Sequence, residues 1–186
     1  MQSLDRFMAL AAVALEGAAT GPALPAARRV RALLDLPPQP ASPAPRHDLP
    51  VRRHLPAACA ATRPDLADAF LALEPAIPWR TRTLSNAGPG FADGHASARV
   101  LDPAGLEQRG GLIAGFSLVA PGVTYPEHDH PPEELYLVLS GGEWWQAGGD
   151  WHAPGPCGFV HNPPGIRHAM RAGTVPLLAA WFLLPG

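Results

Sequence analysis

The sequence predicts a mainly β protein, an antiparallel barrel preceded by a helical N-terminal part. Fifteen of the 19 glycines follow residue 90. At the same point the apolar positions change from a helical spacing to short alternating runs separated by glycine turns. Many short strands without intervening helices favour a sandwich or a barrel. We therefore expect residues 1–90 to form a helical part with a proline-rich connector, packed on a barrel of residues 91–186 in one compact domain.

Three helices are predicted before residue 90. The first ends near Gly17 and carries apolar residues at i, i+4, i+7 and i+11, namely Leu4, Met8, Ala11 and Leu15. The second spans residues 26–36 and stops at a pair of prolines. The third begins with Thr62 as the predicted cap and Pro64 in the first turn, and it ends at Pro75.

Six prolines between Pro37 and Pro50 predict an extended connector, which could act as a lid over the barrel or as a passive strap. After residue 90, strands are predicted at 98–101, 111–119, 134–140, 143–147, 158–161, 167–171 and 176–184. Two glycine pairs, Gly141-Gly142 and Gly148-Gly149, indicate hairpin turns between strands.

Composition excludes several classes of function. The chain has a net charge of −2 without a block of like charge, which argues against nucleic acid or an anionic membrane as partner. All 14 basic residues are arginines, so Schiff-base chemistry on a lysine is excluded. Cys59 and Cys157 form no disulfide framework, which fits a reducing compartment. The apolar segment 7–15 is followed directly by Glu16, which favours a helix of a cytoplasmic protein over a secretion signal.

Imidazoles and a carboxylate are concentrated between residues 122 and 141. His128 and His130 point to the same side of an extended chain, as do Glu134 and Tyr136. The sharp turn before His168 can bring a third imidazole to the same place. Such groups are costly to bury inside a barrel unless a metal ion satisfies them. Three nitrogens and one oxygen suit Zn, Fe, Ni, Mn or Co, and the ligand set alone does not select among them.

The spacing of these residues resembles that of the cupins. The first cupin motif is matched at every position by Gly122-x5-His128-x-His130-x3-Glu134-x6-Gly141. The second is matched in part by Pro163-x-Gly165-x2-His168, with Gly158 one residue too close to the proline and Ala172 in the place of an asparagine. The resemblance implies an antiparallel, jelly-roll-like cupin barrel. It also implies one divalent metal ion bound by His128, His130, Glu134 and His168.

A narrower resemblance covers nearly the whole chain. The stretch from Tyr125 to Tyr136, preceded by a helical part, is similar to the cupin-type dimethylsulfoniopropionate (DMSP) lyases, most of all to the DddQ group. This implies a bacterial carbon–sulfur lyase that splits DMSP into acrylate and dimethyl sulfide by β-elimination. The implied partner is a small molecule with carboxylate and sulfonium groups. A homodimer is implied by analogy with other cupins.

The same resemblance implies roles for both tyrosines of the chain. Tyr136 is the first candidate for the catalytic base and Tyr125 the second, with Tyr125 also placed to contact substrate. A divalent cation nearby would favour the tyrosinate form. Aromatic walls would hold the sulfonium by cation–π attraction, worth about 0.5–2 kcal/mol per contact. The candidates for these walls are Trp144, Trp181 and Phe116.

Other interpretations of the same residues stay open at this point. Tyr136 could be a metal ligand or a core residue rather than the base. Asp129 and Glu133 are expected to face away from the metal. The ligand set also serves other cupin enzymes, such as Fe-dependent dioxygenases and sugar isomerases, because function depends on the pocket rather than the fold. A third alternative is a cupin that binds a small molecule without turning it over.

Overall fold

The N-terminal part of the chain is helical. The computed structural model describes residues 2–186. Its first four helices are α1 (Gln2–Ala18), α2 (Ala23–Leu34), α3 (Leu55–Ala60) and α4 (Pro64–Leu73). Helices α1, α2 and α4 confirm the three predicted helices. Helix α1 ends at Ala18, one residue after the predicted stop at Gly17. Among residues 2–186, no helix combines the length and the apolar character needed to cross a membrane.

The start of α4 differs from the prediction. The N-cap position belongs to Arg63, and no side chain caps the helix there. Thr62 instead donates its hydroxyl to the carbonyl of Ala58 at 2.9 Å, which satisfies an end carbonyl of α3. The predicted role of Thr62 is therefore wrong, because a helix too short to be recognised from its sequence ends immediately before it.

The proline-rich connector runs along the turn between the first two strands. Gln39 exchanges two backbone hydrogen bonds with Gln108, at 2.9 and 3.0 Å. The amides of Ser42 and Ala44 donate to the carbonyls of Pro103 and Ala104, each at 3.0 Å. Residues 37–50 do not line the main cavity of the described chain. The connector is thus a strap rather than a lid.

Eight strands follow a short helix, α5 (Phe91–Gly94), and form two antiparallel sheets. The larger sheet has the order β1-β2-β8-β4-β6 and the smaller β3-β7-β5. Their bounds are β1 (His95–Leu101), β2 (Ile113–Val119), β3 (Thr124–His128), β4 (Glu134–Val138), β5 (Glu143–Gln146), β6 (Phe159–Asn162), β7 (His168–Arg171) and β8 (Leu177–Leu183). All seven predicted strands are present, and the mainly β fold class is confirmed.

Two features of the sheets were not predicted correctly. Strand β3 was missed because its sequence is short, contains Pro126 and lacks alternating apolar residues. Gly141-Gly142 does not close a hairpin, since β4 belongs to the larger sheet and β5 to the smaller one. The pair Gly148-Gly149 does reverse the chain, but β5 meets the returning segment only at the bridge of Trp144 with His152.

The larger sheet is buried on both faces. Along β8, Leu178, Ala180 and Phe182 pack against the helices, while Leu177, Ala179 and Trp181 face the smaller sheet. Strands β2 and β4 alternate in the same way, as side chains of successive residues must. The outer face shares one core with α1, α2 and α4, and the inner face shares another with Tyr125, Trp144 and Met170. The space between the two sheets is therefore where a ligand cavity can form.

Candidate metal centre

Three histidines converge where β3 ends and β7 begins. The register of these antiparallel strands pairs His128 directly with His168, and their ring centroids lie 4.1 Å apart. His130 follows two residues later on the same side, with its ring 5.1 Å from that of His168. One ring nitrogen from each histidine lies within 4.8 Å of the other two. The structure therefore brings together the three histidines that the sequence predicted.

Glu134 reaches these imidazoles from the opposite sheet. It is the first residue of β4, and its carboxylate is almost fully buried. Its Oε2 atom lies 3.3 Å from Nε2 of His130 and 3.3 Å from Nε2 of His168. The cluster thus contains three imidazoles and one carboxylate, as the motif spacing predicts.

Asn162 binds the same carboxylate oxygen of Glu134 that the imidazoles approach, and it was missed in the sequence. It pairs with Glu134 in the β4–β6 register, and its Nδ2 donates to Oε2 at 2.9 Å. Gln146 in turn donates to Oδ1 of Asn162 at 2.7 Å. An asparagine at a strand end is ordinarily read as a turn residue, so only the register between the strands reveals this contact.

In all three histidines, Nδ1 is the ring nitrogen that lies next to a backbone carbonyl. Nδ1 of His128 lies 2.9 Å from the carbonyl of Pro126, and Nδ1 of His168 lies 3.0 Å from that of Ile166. Nδ1 of His130 lies 3.0 Å from the carbonyl of Pro132. A carbonyl accepts only, so each Nδ1 is assigned as the protonated donor, which leaves Nε2 with a free lone pair. This is how metal-binding histidines are commonly held.

The donor set fits a metal ion. Nε2 of His168 is buried among residues 2–186, and its 3.3 Å contact with Oε2 of Glu134 is not a hydrogen bond, which is costly unless a ligand satisfies this nitrogen. Burial lowers the pKa of His128 to about 4, and repulsion from His168 acts in the same direction. Although burial opposes ionisation of Glu134, its contacts with His130 and His168 lower the pKa of this carboxyl to about 2. At neutral pH, His128 is a neutral nitrogen donor and Glu134 an anionic oxygen donor.

A cavity of about 570 Å³ opens beside the four predicted ligands. This volume lies within the usual range for small-molecule sites. His128, His130 and Glu134 line it on one side, and Ile113, Trp181 and Leu183 line it on another. Asp129 also lines the cavity, but it is not among the grouped metal-binding side chains, so the expectation that it faces away from the metal is not contradicted. Glu133 does face away and binds His161 and Arg29 instead.

Both tyrosines line this cavity. Tyr136 lies between Val160 and Trp181 in the register of the larger sheet, two residues from Glu134 on the same face. Burial raises the pKa of Tyr136 well above its usual range, and the Glu134 carboxylate adds to the effect. Its hydroxyl therefore stays protonated at neutral pH unless positive charge is placed beside it.

Tyr125 has a different environment from Tyr136. Its ring lies 4.6 Å from that of His128, and its hydroxyl accepts a hydrogen bond of 2.6 Å from Nη1 of Arg82. Burial raises the pKa of Tyr125, while the charge of Arg82 acts in the opposite direction. Arg82 was missed in the sequence, since it lies 13 residues before the start of β1 and belongs to no motif.

The three aromatic residues proposed as cavity walls have different positions. Trp181 lines the cavity. Trp144 is fully buried behind Tyr136, with 6.0 Å between their rings, and does not line it. Phe116 faces the helices, where its ring packs edge-on against those of Phe7 and Phe70 at 4.9 and 5.1 Å. The expectation that Phe116 contacts substrate is therefore corrected, because it occupies the outer face of β2.

Comparison with known proteins identifies the family. The sequence profile of the dimethylsulfoniopropionate lyases matches residues 24–179, which is most of the chain. This chain belongs to the dimethylsulfoniopropionate lyase family. One relative in this lyase family is the dimethylsulfoniopropionate lyase DddQ of Ruegeria pomeroyi, 33% identical over 154 residues, which are 77% of this chain and 73% of that protein.

Solved structures of DMSP lyases share the fold. A crystal structure from work on the DMSP lyases RdDddP and RnDddQII superposes with a TM-score of 0.77 at 24% identity, covering 100% of this chain and 93% of that one. The crystal structure of DddQ from Ruegeria pomeroyi gives a TM-score of 0.73 at 26% identity, covering 99% and 90%. The cupin fold, with its helical N-terminal part, is thereby confirmed for this member of the DMSP lyase family.

Proposed function

We propose that this chain is a metal-dependent lyase that cleaves DMSP to acrylate and dimethyl sulfide by β-elimination. The observation that carries the proposal is the convergence of His128, His130, His168 and Glu134 beside a cavity lined by Tyr136, in a chain of the DMSP lyase family. A metal and a base beside a cavity of small-molecule size are the two elements that removal of a proton next to a carboxylate requires.

The four converging residues would hold one divalent metal ion. Three imidazole nitrogens and one carboxylate oxygen suit Zn, Fe, Mn, Ni or Co. When bound, the ion would withdraw charge from the substrate carboxylate, make the adjacent C–H more acidic and favour tyrosinate nearby. Asn162 would keep the Glu134 carboxylate in place, because its amide occupies one lone pair of Oε2.

Tyr136 is the proposed base, and Tyr125 is the second candidate. The phenolate of Tyr136 would take the proton from the carbon next to the carboxylate. The C–H electron pair then forms the new double bond, the C–S bond breaks, and its pair leaves with sulfur as neutral dimethyl sulfide. The products are acrylate, dimethyl sulfide and the protonated tyrosine. The position of Tyr136 on the same strand face as Glu134 supports this order of preference.

Trp181 is the proposed contact for the sulfonium. Its indole lines the cavity and lies next to Tyr136 across the β4–β8 pair. A cation over an indole face gains about 0.5–2 kcal/mol. Trp144 supports the ring of Tyr136 from behind, so its proposed contribution to substrate binding is indirect.

Product analysis tests the proposal against its rivals. Metal-loaded protein is incubated with DMSP under nitrogen, and proton NMR in sealed tubes follows both products. We expect acrylate and dimethyl sulfide to appear in equal amounts without oxygen. Consumption of oxygen with another substrate would identify a dioxygenase. A shift of the melting temperature by DMSP without any product would identify a binding protein. Either of these results would overturn the proposal.

Two further expectations belong to the same proposal. The matched relative is bacterial, and the two cysteines are free, which supports a bacterial cytoplasmic protein. A homodimer remains a prediction by analogy, and sedimentation velocity would measure it directly.

A further inference from the structure

A short segment before the barrel forms one rim of the cavity. All four residues from Arg80 to Thr83 line it. The segment is fixed at its start, where the backbone of Arg80 exchanges two hydrogen bonds of 2.9 Å with Ser97 in β1. The segment is therefore anchored to the barrel at Arg80, and the side chain of Arg82, although exposed, is held at the rim by its hydrogen bond to the hydroxyl of Tyr125.

Two of the cavity's three arginines lack an acidic partner. Arg99 is paired with Asp102 at 2.9 Å. Within residues 2–186, neither Arg80 nor Arg82 makes an ion pair. Arg82 uses one N–H to bind the hydroxyl of Tyr125, which leaves four of its five guanidinium N–H donors available. Two arginines without an ion-pair partner at the rim of one cavity favour an anionic group as their ligand.

We propose that Arg82, with Arg80 beside it, is the specificity-determining residue that binds the carboxylate of the substrate and of the acrylate product. The inference rests on the proposed function for the class of substrate. Arg82 is joined to Tyr125, whose ring contacts that of His128, so its donors lie on the same side of the cavity as the metal centre. A guanidinium donates to the oxygens of a carboxylate, whose remaining lone pairs stay available to the metal ion, and an uncharged ester or amide cannot reproduce this charged pairing. Trp181 remains the contact for the sulfonium.

Binding of propionate and propionamide tests this inference without turnover. Propionate has the carboxylate of the substrate and product but no leaving group, and propionamide is its uncharged counterpart. We expect Arg82→Gln in the metal-loaded chain to raise the Kd of propionate about 10- to 100-fold, as the loss of a charge-assisted pair should. Arg82→Lys should raise the Kd of propionate less than Arg82→Gln does. Propionamide should bind both variants and wild type with the same affinity. NMR titration measures all these affinities.

A control separates this role from a general loss of positive charge. Arg28→Gln removes an equivalent charge from the exposed surface of α2 and should leave propionate binding unchanged. The inference is overturned if Arg82→Gln binds propionate as wild type does, or if Arg28→Gln weakens propionate binding as much as Arg82→Gln does.

Kinetics with DMSP distinguish failure of this inference from failure of the proposed function. If the inference holds, Arg82→Gln raises KM for DMSP more than it lowers kcat. If wild type releases no dimethyl sulfide, the proposed function fails while the propionate measurement still reports on Arg82. If wild type is active and Arg82→Gln keeps the same KM, the function stands and the inference is wrong.

Discussion

Single residues orient the metal centre through contacts that are local in sequence. His128 and His168 each turn Nδ1 toward a carbonyl two residues earlier, and His130 toward one two residues later. These contacts lie within two residues of each histidine, so the orientation of each imidazole does not depend on pairing between distant strands. Glu134 is different, since Asn162 reaches it only through strand pairing. The carboxylate is therefore the ligand whose position depends most on the fold.

Asn162→Ala should weaken metal binding. Loss of its amide leaves Glu134 free to rotate and removes a hydrogen bond from a buried carboxylate. Changes of this kind typically lower metal affinity about 10- to 100-fold. Competition with a chromophoric chelator measures the affinity, and Asn86→Ala, on an exposed loop, is the matched control. Equal affinity in both variants would mean that Asn162 does not position the ligand.

Tyr136→Phe should reduce release of dimethyl sulfide by about 100-fold or more, the usual loss when a general base is removed. Metal content should remain at one ion per chain if Tyr136 is the base. A parallel loss of metal would instead assign Tyr136 as a ligand. Tyr125→Phe serves as the comparison and should have the smaller effect on kcat. Full activity of Tyr136→Phe would contradict the proposed mechanism.

His95 should make stability depend on pH. It is buried between Phe91 and Tyr125, and neither ring nitrogen has a partner among residues 2–186. Burial lowers its pKa to about 3, with Arg82 and His128 acting in the same direction. Between pH 6.5 and pH 3 the imidazole of His95 is protonated in the unfolded chain, where its pKa is about 6.5, but not in the folded chain. The contribution of His95 to stability is therefore complete above pH 6.5 and is lost as pH falls toward 3.

His95→Leu removes this titration from the core. Between pH 8 and pH 5, the free energy of unfolding of the variant should fall by about 2 kcal/mol less than that of wild type. Urea denaturation at each pH measures the free energy of unfolding. The change in each protein is taken relative to its own value at pH 8. Identical pH dependence in the two proteins would show that His95 is hydrated or paired in solution.

The sequence predicts where most helices and strands lie, but it does not predict which face of a strand each side chain occupies. Glycine turns and apolar runs located seven of the eight strands, and apolar periodicity with proline and glycine signals located three helices. The face of β2 could not be predicted, because both faces of the larger sheet are apolar and alternation gives no contrast. Phe116 was assigned to the cavity for that reason. Strand β3 was missed because its pairing with β7, rather than its own composition, makes it a strand.

The contact between the helices and β2 should contribute strongly to stability. Phe7 of α1 is fully buried, and its ring lies 4.9 Å from that of Phe116 and 6.4 Å from that of Phe70. Phe7→Ala should lower the free energy of unfolding by about 3–5 kcal/mol through lost burial and a new cavity. Val13→Ala, at an exposed position of the same helix, should change it by less than about 0.5 kcal/mol. Equal effects in urea denaturation would contradict this packing.

At the scale of the whole molecule, the helical part and the sheets share one core. Arg109, in the turn before β2, binds Asp5 of α1 and the carbonyl of Leu34 at the end of α2. Arg29 of α2 binds Glu133 and the carbonyl of Pro185, at 3.1 and 2.9 Å. Glu133 adjoins the metal centre, so α2 is linked to the site by a chain of contacts. The division of the chain into residues 1–90 and 91–186 stays a prediction from composition. The contacts of Arg109 and Arg29 favour a chain that unfolds as one cooperative unit.

Cooperative unfolding would test that unit. Helical signal by far-ultraviolet circular dichroism and the fluorescence of the tryptophans should follow one transition in urea, because neither part can keep its core alone. Two separated transitions, the earlier one losing helix only, would show that residues 1–90 unfold independently of the barrel.

The central claim is that the metal centre of this chain cleaves DMSP. It is tested most directly by headspace gas chromatography of dimethyl sulfide, using protein loaded in turn with Mn, Fe, Co, Ni and Zn, and with His130→Ala alongside. We predict dimethyl sulfide from wild type that requires at least one of these metals and falls at least about 100-fold in His130→Ala. Absence of dimethyl sulfide with every metal, in protein shown to be folded and metal-loaded, would contradict the claim.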